Sequence, residues 1–211
     1  MISKQRFFDI PLNQEDELTT KEKLKIKELL EYDRYCRDNG HFKQMAECYS
    51  EQSFVRVSWF NGTGKEYCKR LEAAGGGGAK HKINYTIVWV NGNKAIGEMT
   101  VAMLSPRQTL KSEEFDLISY ARILTRVQKE NGIWKIMQGD CIYERDELIS
   151  VFPGEKIAIN REKLNSYRAS YKGLSYVLSL TGEKSDQELP GEDKPETIEK
   201  LYDEASSWIF N

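Results

Sequence analysis

The stretch Lys80-His81-Lys82-Ile83-Asn84-Tyr85-Thr86-Ile87-Val88-Trp89-Val90-Asn91-Gly92-Asn93-Lys94 decides the fold class. From Lys80 to Val90 the side chains alternate with the period of a β-strand. Asn91-Gly92-Asn93 is a hairpin signal, because glycine and asparagine accept the left-handed backbone of a tight turn. Lys94 to Leu104 then reads as the returning strand. The pattern recurs downstream, where Glu114 to Lys129 and Ile133 to Tyr143 flank Asn131-Gly132. Upstream, Ser53 to Phe60 reads as another strand, followed by an Asn61-Gly62 turn signal. Strands joined by such turns form an antiparallel meander.

Before residue 53 the hydrophobic period is that of a helix. Thr19-Thr20-Lys21-Glu22 fits a capping box, in which hydroxyl and carboxylate satisfy the first free amides. Leu24, Ile26, Leu29, Leu30 and Cys36 follow at helical spacing, and Asn39-Gly40 closes the helix. A second helix is expected from Phe42 to Tyr49 and a third from Gly64 to Ala74. The four glycines 75–78 are not followed by a GKS/T and read as a flexible connector, not a phosphate loop. Three helices before and within a meander predict an α+β fold, with the helices packed on one concave face of a curved sheet.

After Asp146 the texture changes. Asn160 to Leu180 reads as one amphipathic helix ended by Gly182, and Glu196 to Ile209 as a last helix started by Pro195. About 65 residues are too few for an independent core of any size. The expected division is a polar arm at 1–18, a main domain at 19–146, and a helical extension at 147–211. The extension should pack on the main domain or on a partner subunit.

The chain has 211 residues, 39% apolar and 30% charged, with a net charge of −2. That is a globular composition. No long basic stretch marks a nucleic-acid partner. No apolar run approaches the roughly 20 residues of a membrane span. The start, Met1-Ile2-Ser3-Lys4-Gln5-Arg6, lacks the apolar core of a secretory signal. The expectation is a cytoplasmic protein with neither nucleic-acid nor membrane partners. Cys36, Cys48, Cys68 and Cys141 are widely spaced, form no CxxC and accompany only two histidines. Reduced thiols are expected, and no metal site. The strand alternation breaks at Val88-Trp89-Val90 and at Ile123-Leu124, leaving apolar side chains on both sheet faces. An exposed apolar face is a partner site, so a homodimer is expected in which the sheets or the C-terminal helices pack together.

The segment from about residue 19 to 145 resembles the SnoaL-like branch of the nuclear transport factor 2-like superfamily. The resemblance rests on Ile26-Lys27-Glu28-Leu29-Leu30 running to Asp38, Phe42 four residues later, Gly64-Lys65-Glu66-Tyr67, His81 opening a long strand, and Asn131-Gly132-Ile133-Trp134-Lys135-Ile136. It implies a cone: a strongly bent sheet wrapped around helices, with a pocket at the open end. Relatives include scytalone dehydratase, ketosteroid isomerase and bile acid 7α-dehydratase. In the dehydratases the residues that match Asp38 and His81 form an acid/base pair. Where those enzymes have a tyrosine five residues before the aspartate, this chain has Asp33, and no titratable group stands at Met103 to Ser105.

Read from the residues, His81 shares its strand face with Ile83, Tyr85, Ile87 and Trp89, which points it toward the interior. An imidazole can serve as a base at neutral pH, and a carboxylate can hold its tautomer. Asp38 and His81 are thus the candidate catalytic pair, expected within about 2.6–3.2 Å of each other or bridged by one water, with a hydrogen-bonded core histidine and a helix-end aspartate as the alternatives. Tyr35, Trp59, Tyr85, Met99, Met103 and Tyr120 are candidates for the pocket lining, with a core role as the alternative for each aromatic. Asp33, Arg34 and His41 read as surface or ion-pair residues, and Arg56 as an outer-face ion pair.

These readings converge on a pocket protein for a small hydrophobic carbonyl or hydroxyl compound. It would be a cofactor-independent dehydratase or isomerase, requiring neither metal nor organic cofactor. The alternative is a non-catalytic ligand-binding or dimerisation module of the same fold. A third reading is the small subunit of a ring-hydroxylating dioxygenase.

Overall fold

The computed structural model describes residues 5–12, 14, 16–76 and 78–211. The readings made on residues 1–4 and on Gly77 lie outside the described residues.

Helix α1 (Glu17–Asn39) begins three residues earlier than expected. Asp16 is its cap, accepting the Thr19 N–H at 2.7 Å. Glu22 is not part of a capping box. Its carboxylate accepts the Trp134 indole N–H at 2.6 Å and pairs with the Lys129 ammonium at 2.5 Å, pinning the helix to the sheet. Gly40 ends the helix with φ 77°, as its position implied. Ile26, Leu30 and Cys36 face the core, whereas Leu24 is exposed. Helix α2 (Phe42–Glu47) and helix α3 (Gly64–Ala73) complete the concave layer. Thr63 and Glu66 form a reciprocal capping box on α3. A Cβ on Gly64 would sit 2.2 Å from the Tyr49 ring, so only glycine lets α3 start this close to the sheet.

The sheet has six strands: β1 (Tyr49–Val57), β2 (Phe60–Gly62), β3 (Lys80–Asn91), β4 (Lys94–Leu110), β5 (Glu113–Glu130) and β6 (Ile133–Ser150). Their spatial order is β2-β1-β6-β5-β4-β3. Both Asn-Gly hairpins between long strands are present, with Asn131 and Gly132 at φ 51° and 83°. The first Asn-Gly is not a turn: β1 turns at Ser58-Trp59, and Asn61-Gly62 lie within β2. The sheet is mixed, because β1 pairs with β6 in parallel. No local signal announces a pairing across so long a stretch of chain as that from Tyr49 to Ile136.

Bulges bend the long strands. The one in β3 matters most. Ile83 pairs with Val101 and Tyr85 with Thr100, leaving Asn84 unpaired. The extra residue reverses the alternation. His81 and Ile83 face inward, as do Val88 and Val90, whereas Tyr85, Ile87 and Trp89 turn outward.

The expected helix from Asn160 to Leu180 is broken. Helix α4 (Arg161–Asn165) is followed by a 3-10 turn at Ala169–Tyr171 and by helix α5 (Lys172–Leu180). Arg168 explains the break. Its guanidinium grips the Asp193 carboxylate at 2.6 and 2.8 Å and the carbonyls of Gln187 and Leu189 at 3.1 Å each. Helix α6 (Pro195–Phe210) starts at Pro195.

Both sheet faces are buried, by different elements. Helices α1–α3 cover the concave face, with Val88, Met99 and Val101 in that core. On the convex face α6 lays Ile198, Leu201, Ala205 and Ile209 over Trp89, Ile96, Leu124 and Ile142, with Phe7 completing the cluster. The two-sided apolar pattern is therefore real, but its convex half is occupied within the chain. That face is covered by α6 and Phe7. A third cluster joins α5 and Tyr171 to Phe115, Leu117 and Tyr143. Among the described residues, no helix is long and apolar enough to cross a membrane.

Candidate functional site

The last turn of α1 and the first residues of β3 meet at the concave face. His81 Nδ1 lies 2.8 Å from Asp38 Oδ1, and the His81 backbone N–H donates to Asp38 Oδ2 at 2.5 Å. The two side chains retain only 5% and 10% of their exposure. Arg37 Nη1 donates to Asp38 Oδ1 at 3.0 Å and to the Ala79 carbonyl at 2.9 Å. One turn earlier, the buried Arg34 donates from Nε and Nη2 to Asp33 Oδ2 at 2.9 and 2.5 Å. Two guanidiniums, each neutralised by a neighbouring aspartate, therefore flank the imidazole.

The electrostatics set the protonation states. Burial opposes ionisation of Asp38. The hydrogen bonds and charge of His81, helped by Arg37, outweigh it and hold the carboxyl well below the usual carboxylate range. Burial is also the main influence on His81 and pushes the imidazole down to about 4. The bond to Asp38 opposes that fall, and Arg34 and Arg37 add to it. The ring is neutral at pH 7. An ionised Asp38 only accepts, so Nδ1 carries the proton, and Nε2 is left with the lone pair. Arg34 stays charged despite complete burial, because Asp33 raises its pKa further.

His81 lines a cavity of about 60 Å³ together with Arg34, Arg37, Trp59, Tyr67 and Tyr143. Tyr143 is held in place by the Ser58 backbone, whose N–H donates to its hydroxyl at 2.9 Å, and burial raises its pKa well above the ordinary value. Arg37, Trp59, Met103 and Leu174 also line a second, larger cavity of about 350 Å³. The two are neighbouring chambers, inner and outer, with shared walls.

Of the residues expected at the site, the fold brings together Asp38, His81, Trp59 and Met103. It leaves out the others. Tyr35 is 55% exposed and stacks against Tyr32 and His41. Tyr85 is 53% exposed, turned outward by the Asn84 bulge. Tyr120 lies under the Arg145 guanidinium and donates its hydroxyl to Glu147, away from the cavities. Met99 is buried in the core beneath α1 and reaches neither chamber. Arg56 ties the extension down through Asp186 and the Glu188 carbonyl. Arg34 and Asp33 form an ion pair, as one of their two readings had it, but in the interior and not at the surface. Arg34 and Arg37 continue the inward stripe Ile26, Leu30, Asp33, a spacing of three and four that was present in the sequence. The cysteines are free thiols, and burial pushes Cys48 and Cys68 up to about 12.

No protein-family model matches the chain. It is 25% identical over 200 residues to Pea pathogenicity protein 2 of Fusarium vanettenii, covering 89% of this chain and 85% of that one. It is 26% identical over 205 residues to an uncharacterized protein of Emericella nidulans, covering 89% and 86%. Matches of that extent include part of the region after β6. Among solved structures, a putative scytalone dehydratase from Novosphingobium aromaticivorans superposes with a TM-score of 0.52 at 20% identity, covering 66% of this chain and 97% of that one. A type 2 hexachlorocyclohexane dehydrochlorinase, LinA, gives a TM-score of 0.53 at 12% identity, covering 67% and 97%. Curved sheet, concave helices and these superpositions agree: the chain has the α+β cone fold of the nuclear transport factor 2-like superfamily, as its resemblance to the SnoaL-like branch implied.

Proposed function

We propose that this protein binds a small, mainly apolar compound bearing a carbonyl or hydroxyl group and acts on it as a lyase or isomerase without a cofactor. The observation that carries the reading is a buried imidazole whose Nδ1 lies 2.8 Å from the Asp38 carboxylate and which lines a cavity. His81 Nε2 takes a proton from the carbon beside the substrate carbonyl, and the C–H electrons pass into an enolate. Arg34 and Arg37 line the same cavity and offset the charge on the enolate oxygen. Asp38 stabilises the imidazolium that forms. In a dehydration the imidazolium gives its proton to a hydroxyl leaving the neighbouring carbon, so that water departs and a C=C bond remains. In an isomerisation the proton returns to a different carbon.

The test is proton NMR in D2O with scytalone and with simple cyclic β-hydroxy ketones. The expected result is exchange or elimination by the wild-type protein. His81→Ala, while still folded, should slow it by about 10²- to 10⁴-fold. Equal rates with His81→Ala would refute the proposal.

A second reading is a binding module without chemistry. It is favoured by the composition of the inner chamber. Apart from His81, the lining carries two arginines paired with aspartates, two tyrosines and Cys141, but no carboxyl group and no second imidazole. Ligand binding by wild type with no exchange or turnover would decide for that reading.

A further inference from the structure

The outer chamber is built jointly by the cone and the extension. Helix α5 contributes Leu174, Val177 and Leu178, and Thr181 follows at its end. Leu174 also lines the inner chamber, so this helix borders both. The docking of α5 is specific. Asp146 Oδ2 accepts the Leu174 N–H at 2.7 Å. A Cβ on Gly173 would lie 2.8 Å from the Asp146 Cβ, so glycine permits this approach. At the far rim Arg70 of α3 pairs with Glu183 at 2.9 Å.

We infer that α5 is a specificity wall, and that the outer chamber takes the apolar body of a ligand whose polar head reaches His81. The placement of the head rests on the function proposed above. The chamber's affinity for an apolar body does not. Arg37, Trp59, Met103 and Leu174 line both spaces, so the two adjoin and one ligand is the occupant we assign to both. The charges at the chamber are paired, Arg37 with Asp38 and Arg70 with Glu183, so nothing there calls for a charged body. Its volume of about 350 Å³ is at the small end of ligand pockets, about 300–1,000 Å³, and suits one or two fused rings.

The experiment is fluorescence titration with 2-naphthol, a neutral two-ring compound with one hydroxyl. Wild type should bind it. Leu178→Trp and Thr181→Trp place bulk in the chamber from half-buried and exposed positions, which a folded protein tolerates. Each should weaken binding at least about tenfold, with an unchanged melting temperature. His81→Ala should retain most of the binding. Folded Leu178→Trp and Thr181→Trp proteins that bind like wild type would overturn the inference, and so would a wild type that does not bind 2-naphthol. If His81→Ala leaves turnover unchanged while the tryptophan variants block 2-naphthol, the catalytic reading falls and the chamber stands.

Discussion

At the scale of single residues, the site depends on how one imidazole is kept neutral. Burial lowers the His81 pKa from 6.5 to about 4, so the folded state binds fewer protons than the unfolded state between those values. Stability therefore rises with pH through this window: the contribution is complete above about 6.5 and lost as the solution is acidified toward 4. The proton-abstracting form persists over the same range. NMR titration of the His81 ring should show neutral imidazole with the proton on Nδ1 down to about pH 4–5. The acid limb of kcat/KM for any substrate should fall near the same value, not near 6.5. A ring that titrates at 6.5 or above would mean that the Asp38 bond outweighs burial, and His81 would then act at neutral pH as an acid. The pairing itself was legible in the sequence through Asp38 at a helix end, His81 at a strand start and the family resemblance. Arg34 and Arg37 were legible only as a stripe. Charged residues at core spacing read as solvated or ion-paired at the surface, and that the Asp33–Arg34 and Asp38–Arg37 pairs are buried becomes visible only when the helix is docked.

At the scale of elements, local signals placed the hairpins and missed what long-range contacts impose. Glycine and asparagine determine Asn91-Gly92 and Asn131-Gly132 through backbone geometry alone. The Asn84 bulge has no such cause within β3. It follows from pairing with β4, and it moved Tyr85 from an expected pocket position to solvent. The break between α4 and α5 is similar. Residues 160–180 have helical periodicity, but Arg168 gains a bidentate ion pair with Asp193 and two carbonyl partners by leaving the helix. These bonds also hold the Asp193 carboxyl well below its ordinary range, chiefly through the Arg168 hydrogen bond. Arg168→Ala should cost about 1–3 kcal/mol, the range for losing a partner of a hydrogen-bonded charge. The loss should be local: limited proteolysis should cut between residues 181 and 194 faster than in wild type, with the sheet still protected. Unchanged cleavage would show that α5 and the Tyr171 cluster hold the extension without Arg168.

At the scale of the whole molecule, the extension closes the fold on two sides, with α5 at the pocket and α6 on the convex face. The apolar strands suggested a second subunit because a sequence shows that a face is apolar and not what covers it. Here the cover is the chain's own C-terminal helix together with Phe7. A buried aliphatic side chain contributes about 1.5–3 kcal/mol, and Ile198, Leu201 and Ile209 are each at most 7% exposed against the sheet. The same surface cannot also receive a partner. Light scattering across the micromolar range tests whether the 24.4 kDa chain associates through any other surface. Placing charge under the helix, as Ile198→Asp with Leu201→Asp, should lift α6 and uncover Trp89, Ile96, Leu124 and Ile142. That variant should self-associate and bind an apolar dye more strongly than wild type. A wild-type dimer would mean that association uses another surface, such as the β3 edge with its exposed Ile83, Tyr85 and Ile87. In that case the double aspartate variant would remain dimeric and Tyr85→Lys would dissociate it.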